Sequence, residues 1–364
     1  MEKIFGFGCM RLPMNGNEVD YDEFTKMVDY FLDNGFNYFD TAHGYIEGKS
    51  EIAIRECLTK RYDRSKYILT NKLTENYFNK EEDIEPFFNK QLEWCGVEYF
   101  DYYLMHAQNR ENYKKYMKCN AYEVAKKLKA EGKIKHIGIS FHDTSDILEN
   151  ILKEHDEIEV VQIQFNYVDF KDPSVQSEKC YNVCRKYNKQ VLVMEPVKGG
   201  GLVRLPEEAK KEFDNLGNDL SYASYAIRFA ASFDGVYKVL SGMSDLEQMK
   251  DNISYMKDFK KITDEESEAI EKVAEILKSL GGIPCTACRY CVEGCPMNIK
   301  IPDIFACYNA KQQFHDWNSS MYYEVSTRDS GKASDCIQCG QCEGVCPQHI
   351  KIREKLEEIA KIFE

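Results

Sequence analysis

Positive charge is in short supply in this chain. Its 48 Lys and Arg stand against 61 Asp and Glu, a net charge of −13 over 364 residues. Such an acidic surface disfavours nucleic acid or an anionic membrane as the main partner. The chain also has no run of 18 apolar residues, as a membrane-spanning helix requires. The opening MEKIFGFGCMRLP lacks the layout of a secretory signal. A soluble, cytoplasmic protein is expected. No G-x-G-x-x-G follows any strand candidate, and the early GFGCM is too short to count as one. That omission disfavours a doubly wound dinucleotide-binding sheet. At 43% hydrophobic, the chain can bury a sizeable core. Its length suits two or three domains, or one large barrel with a small companion.

Cysteine, by contrast, is plentiful, with fifteen residues. A secreted disulfide scaffold suits much shorter chains. Here eight of the fifteen form two copies of C-x2-C-x2-C-x3-C-P: Cys285, Cys288, Cys291 and Cys295, then Cys336, Cys339, Cys342 and Cys346. The other seven (Cys9, Cys57, Cys95, Cys119, Cys180, Cys184, Cys307) share no spacing. Cys180 and Cys184 lie one helical turn apart, as packing alone explains.

The doubled pattern suits cubane iron–sulfur clusters. Three closely spaced thiolates wrap one cluster, and the fourth comes from the other repeat because the proline after it turns the chain away. One 4Fe-4S cluster is therefore expected on Cys285, Cys288, Cys291 and Cys346, and the other on Cys336, Cys339, Cys342 and Cys295. Zinc sites use two separated C-x2-C pairs instead. The segment resembles a bacterial two-cluster ferredoxin, but its insert from Met297 to Asp335 is long. IPDIFACYNAKQQFHDW within it reads as helix, so a mainly helical ferredoxin-like domain is expected.

Residues 1–262 alternate strand-like and helix-like segments. The strand candidates are IFGFGCM, FNYFDT, YILTNK, DYYLMH, IKHIGIS, VVQIQF, VLVMEP and VYKVLSG. Eight βα alternations in this length point to an α/β fold of the (β/α)8 TIM-barrel type. The chemistry of such barrels sits at the C-terminal ends of the strands. Those ends carry Asp40, Lys72, His106, Ser140, Gln162, Glu195 and Gly242. TDEESEAIEKVAEILKSL, with a capping box of Thr263 and Glu266 and an end at Gly281-Gly282, reads as a connecting helix over 263–282. Residues 283–364 then form the cluster domain, closed by an amphipathic helix in KIREKLEEIAKIF.

FDTAHGYIEGKSE, ILTNK and DYYLMH carry a resemblance to the aldo-keto reductase family, over nearly all of residues 3–260. The whole chain is similar to its branch with a C-terminal ferredoxin-like domain. The resemblance implies a catalytic tetrad of Asp40, Tyr45, Lys72 and His106. It also implies an NAD(P)(H) site, with Ser140 and Gln162 on the nicotinamide carboxamide and Met194 against its ring. Gly242, Ser244, Gln248 and Asn252 would lie along the adenosine end. Lys198, in the glycine-rich EPVKGGGLV, is a candidate for a cofactor phosphate. The chain departs from the family at Phe141, where Asn is usual, and at Met194, where an aromatic ring is usual. Ser244 and Gln248 stand where basic residues often bind a 2′-phosphate, and Lys250 is the one cation near them.

The tetrad's chemistry can be argued from its side chains. Carbonyl reduction needs hydride on carbon and a proton on oxygen. Tyr45 can give the proton, and Lys72 beside it is expected to favour the phenolate and lower its pKa. Asp40 would hold Lys72 charged, and His106 would orient the carbonyl oxygen. A Schiff-base aldolase using Lys72 is a competing reading. Others are an ordinary NAD(P)H-dependent carbonyl reductase with structural or sensory clusters, and a non-catalytic redox-sensing subunit. The preferred reading is an oxidoreductase acting on a small carbonyl or alcohol, whose clusters relay electrons to or from a ferredoxin or other carrier. Hydride moves two electrons together and clusters take one, so FMN or FAD is a candidate beside or in place of the nicotinamide.

Overall fold

The computed structural model of the chain describes residues 3–279, 282–285, 287, 289–346 and 348–364. The eight apolar segments become eight parallel strands: β1 Phe5–Gly8, β2 Tyr38–Asp40, β3 Ile68–Leu73, β4 Phe100–Gln108, β5 Ile134–Phe141, β6 Ile158–Gln164, β7 Gln190–Met194 and β8 Val236–Gly242. Each pairs with the next, and β8 returns to β1, so the sheet closes into a barrel. The register sets Gly8 beside both Asp40 and Gly242, Asp40 beside Thr70, and Ser140 beside Gln162. Polar strand ends thereby gather at one end of the barrel. Below them, inward side chains such as Tyr38, Tyr102, Leu104, Val160, Leu192 and Leu240 fill the interior.

The helix Tyr21–Asp33 shows how the outer layer is held. Asp20 caps it by accepting from the Glu23 N–H. Phe24, Met27, Val28 and Phe31, spaced by three and four residues, are its buried face. Phe31 meets the rings of Phe36 and Phe39, each 5.3 Å away between centroids. Truncating such a ring to alanine costs roughly 3–5 kcal/mol.

Packing divides the chain into two units. The first comprises residues through Phe165, Lys179–Pro196 and Ala223–Ile262; the second comprises Asn166–Glu178, Val197–Tyr222 and everything from Thr263 on. Residues 166–178 and 197–222 belong to the second unit because their packing partners lie there. Helix Glu207–Asp214 packs on helix Asp264–Ser279. Lys198 is buried with Asp169 and Asp316.

The connecting helix has its capping box, with Thr263 N–H donating to Glu266 and Glu266 N–H to Thr263 Oγ1. Its expected end at Gly281 lies outside the described residues. Beyond it, the helices Ile301–Phe314, Ser319–Thr327 and Ile352–Phe363 form the mainly helical domain. Their core includes Ile304, Phe305, Tyr322, Tyr323, Leu356 and Ile359. A bridge between Ile299 and Gly331 ties the start of the long insert to its end. Among the described residues no helix is long and apolar enough to cross a membrane.

Candidate functional site

Asp40, Lys72 and His106 reach the barrel end on β2, β3 and β4. The Lys72 ammonium is buried and donates to Asp40 Oδ1 at 2.6 Å and to the Thr41 carbonyl at 2.9 Å. It lies 4.9 Å from the centre of the Tyr45 ring. The Tyr45 and His106 rings stand 6.1 Å apart, at 77°. The four expected catalytic residues are thus brought together. Burial works against the Lys72 charge, but Asp40 and Tyr45 outweigh it and hold its pKa above the ordinary lysine value.

Tyr45 differs from expectation. Burial raises its pKa above the usual tyrosine value, and the pull of Lys72 does not reverse this. The expected lowering is therefore corrected: the resting side chain is a phenol, a proton donor. His106 is pushed well below the usual histidine value by burial, then by Lys72 and His142, so its ring is neutral.

The surroundings fix this geometry. Tyr45 opens a turn whose next two residues, Ile46 and Glu47, have left-handed backbones with φ of 50° and 55°. A β-branched residue there is a costly choice. Behind Lys72, the Asn71 side chain accepts from the Lys72 N–H and Gln91 Nε2 donates to the Lys72 carbonyl. The fully buried carboxylate of Glu51 takes hydrogen bonds from Asn71 and Gln91 and pairs with His43.

The expected cofactor residues fall into two sets. Ser140 and Gln162 are adjacent and buried. The Ser140 hydroxyl oxygen accepts from the Ala107 N–H, leaving its own hydrogen to give. Gln162 Oε1 is buried without a hydrogen-bond partner among the described residues. One spare donor and one orphaned acceptor match a carboxamide. Met194 ends β7. At Gly242 the Arg11 side chain lies within 3.4 Å of where a Cβ would stand, and Ser244 Oγ donates to the Arg11 carbonyl. Arg11 also pairs with Glu195 at 3.3 Å.

The other set is engaged by the protein's own groups. Asn252 is buried, donating to Ser241 and accepting from Tyr255. Gln248 folds back on the Ser244 N–H and on Asp245. Lys198, expected in a flexible loop facing a phosphate, is instead buried in the second unit between Asp169 at 2.6 Å and Asp316 at 2.9 Å. These two carboxylates hold its ammonium charged.

Two cavities mark the cysteine repeats. Cys285, Cys291 and Cys346 line one, with Arg289; Cys295, Cys336, Cys339 and Cys342 line the other, with Arg353. Each cavity therefore draws a cysteine from both repeats. Cys288 lies outside the described residues. Among the described residues no three His, Cys, Asp or Glu side chains converge closely enough to hold a single metal ion. A cubane needs a wider cage, which an all-cysteine donor set suits. Each arginine is held by a carboxylate, Arg289 by Asp303 and Arg353 by Glu343.

The sequence reading missed Arg11, Thr74 and the two arginines. A signal existed for Thr74, which stands two residues after Lys72 and so just beyond the same strand end.

Comparison with known proteins agrees with this architecture. Residues 5–275 match the model of the aldo/keto reductase family, and residues 284–350 match that of the 4Fe-4S dicluster domain. An uncharacterised oxidoreductase of Bacillus subtilis is 24% identical over 73% of this chain and 90% of its own length. An NADH-specific methylglyoxal reductase of Escherichia coli is 26% identical over 46% of this chain and 54% of its own. Among solved structures, the holo form of an aldo-keto reductase from Bacillus halodurans superposes with a TM-score of 0.60. It is 26% identical and covers 74% of this chain and 91% of that one.

Proposed function

The chain belongs to the aldo/keto reductase family, and from that premise we propose that it reduces small reactive carbonyl compounds with NADH and exchanges electrons with a ferredoxin-like carrier. It is an oxidoreductase with a C-terminal 4Fe-4S dicluster domain. The observation that carries the reading is the buried Asp40–Lys72 pair beside a protonated Tyr45 and a neutral His106.

When bound, a reduced nicotinamide supplies hydride to the carbonyl carbon. The proton for the oxygen comes from Tyr45. Lys72 stabilises the phenolate that is left, and Asp40 keeps Lys72 in place. His106 binds the carbonyl oxygen across from Tyr45. Ser140 and Gln162 would hold the carboxamide through the spare donor and acceptor described above.

The adenosine end favours NADH over NADPH. Leu246 N–H, at the start of the helix Leu246–Met256, is taken by Glu23, and Gln248 N–H by Asp245. Lys250 pairs with Glu247. Two carboxylates on these amides repel a 2′-phosphate but accept from a ribose hydroxyl.

When bound, the clusters supply one-electron chemistry. Cys285, Cys288, Cys291 and Cys346 would hold one, and Cys336, Cys339, Cys342 and Cys295 the other. Cys339 is exposed, and Ile337 and Val345 stand exposed in the same repeat, an apolar surface suited to a redox partner. Reduced thiolates and clusters suit the cytoplasm.

The test is anaerobic turnover of methylglyoxal with NADH. Tyr45→Phe should lower kcat by roughly 10²–10⁴ while NADH still quenches the protein's fluorescence. Wild-type turnover in that variant would end the reading. FMN or FAD released on denaturation would make a flavin the barrel's reductant instead.

A further inference from the structure

His106 is held by a contact that bears on which of its nitrogens carries hydrogen. Its Nδ1 lies 2.7 Å from Oγ1 of Thr74, a residue buried just past the end of β3. The backbone at His106 is pinned as well. Its carbonyl accepts from the Tyr116 hydroxyl and from Gln108 Nε2, and Ala107 after it is left-handed with φ of 50°. The ring is neutral, so one nitrogen bears a hydrogen and the other a lone pair.

The direction of the Thr74 hydrogen bond decides between them. Among the described residues the Thr74 hydroxyl has His106 Nδ1 as its one partner. Were the hydroxyl to accept from an Nδ1–H, its own hydrogen would be buried with no acceptor. A buried donor without an acceptor costs far more than an unused lone pair. If the hydroxyl donates, its hydrogen is satisfied, and Nδ1 must be the bare nitrogen. The ring hydrogen then sits on Nε2, which has no hydrogen bond within the described protein.

We propose that Thr74 is a positioning residue that fixes His106 as the Nε2–H tautomer and so makes its free nitrogen a hydrogen-bond donor to the substrate's carbonyl oxygen. The proposal rests on the reading of His106 as that oxygen's partner. It separates two tasks at one oxygen. His106 holds the oxygen and shares its growing charge, and Tyr45 alone delivers the proton. The opposite tautomer would aim a lone pair at the carbonyl oxygen and repel it.

The test uses the full-length, anaerobically prepared protein labelled with ¹⁵N-histidine. Protonated and bare ring nitrogens of a neutral histidine are well separated in the spectrum, and His106→Asn identifies the relevant signals by their loss. Wild type and Thr74→Ser should show a bare Nδ1 and a protonated Nε2. Thr74→Val should show a mixture. With NADH and methylglyoxal, Thr74→Val should lower kcat roughly tenfold, as loss of one net hydrogen bond would. Its KM for NADH should not change, and Thr74→Ser should recover wild-type kcat. A protonated Nδ1 in wild type overturns the proposal. So do a Thr74→Val spectrum and kcat equal to wild type. If His106→Asn itself turns over normally, the reading of His106 fails, while the spectrum still decides the tautomer.

Discussion

A side chain's identity told less about its chemistry than its depth. Asp40, Tyr45, Lys72 and His106 were legible because strand ends can be counted and the signature around them is specific. The pKa of Tyr45 was not legible, because burial outweighs the neighbouring charge and burial is a property of the fold. Lys198 misled for a similar reason. Three glycines after it suggested an open loop, but its partners, Asp169 and Asp316, are distant in sequence. Lys72→Met should therefore do two kinds of harm. It removes the charge that stabilises the Tyr45 phenolate, and it leaves Asp40 buried without its ammonium, at a cost of about 3–5 kcal/mol. Urea denaturation should show that loss, and adding Asp40→Asn should recover most of the stability but none of the activity.

His142, just after β5, gives a pH test. Burial holds its pKa down to about 4, against 6.5 for an ordinary histidine. Between these values the unfolded chain binds a proton that the folded one does not. Stability from His142 is therefore full above pH 6.5 and is lost as pH falls towards 4. That is about 3 kcal/mol if fully expressed. His142→Asn should flatten this part of a stability–pH curve measured by chemical denaturation. An unchanged slope would mean that other groups set it.

Among the elements, the eight strands were readable because buried parallel strands are short continuous apolar runs bounded by turn residues. The helices of the long insert were readable in part, since the stretch ending at Asp316-Trp317 gives a helix that stops at Phe314. What the sequence concealed was how the insert is fastened. Gly331 N–H donates to the Asn298 carbonyl, and a Cβ on Gly331 would lie 2.3 Å from the Met297 carbonyl oxygen. Only a bare backbone fits there. Gly331→Ala should cost about 1–3 kcal/mol. It should also speed loss of the visible cluster absorbance in urea, leaving the barrel's far-UV signal for higher denaturant. Simultaneous loss of both signals would show that the two units unfold as one.

At the scale of the molecule, the crossed cysteines make a chemical prediction. Anaerobically reconstituted protein should hold about eight irons and eight sulfides. Cys295→Ser should damage the cluster whose other ligands are Cys336, Cys339 and Cys342, as read by electron paramagnetic resonance. Damage confined to the other cluster would refute the crossing.

The discontinuity of the second unit bears on how such a protein can be inherited or re-engineered. A cassette cut at residue 262 would carry every cluster cysteine to a new host. It would leave behind Val175, which belongs to the core around the clusters, and Lys198, which answers the buried charge of Asp316. A recipient barrel would have to offer both from its own loops. Moving the iron–sulfur domain to another barrel therefore requires carrying residues 166–178 and 197–222 along with it.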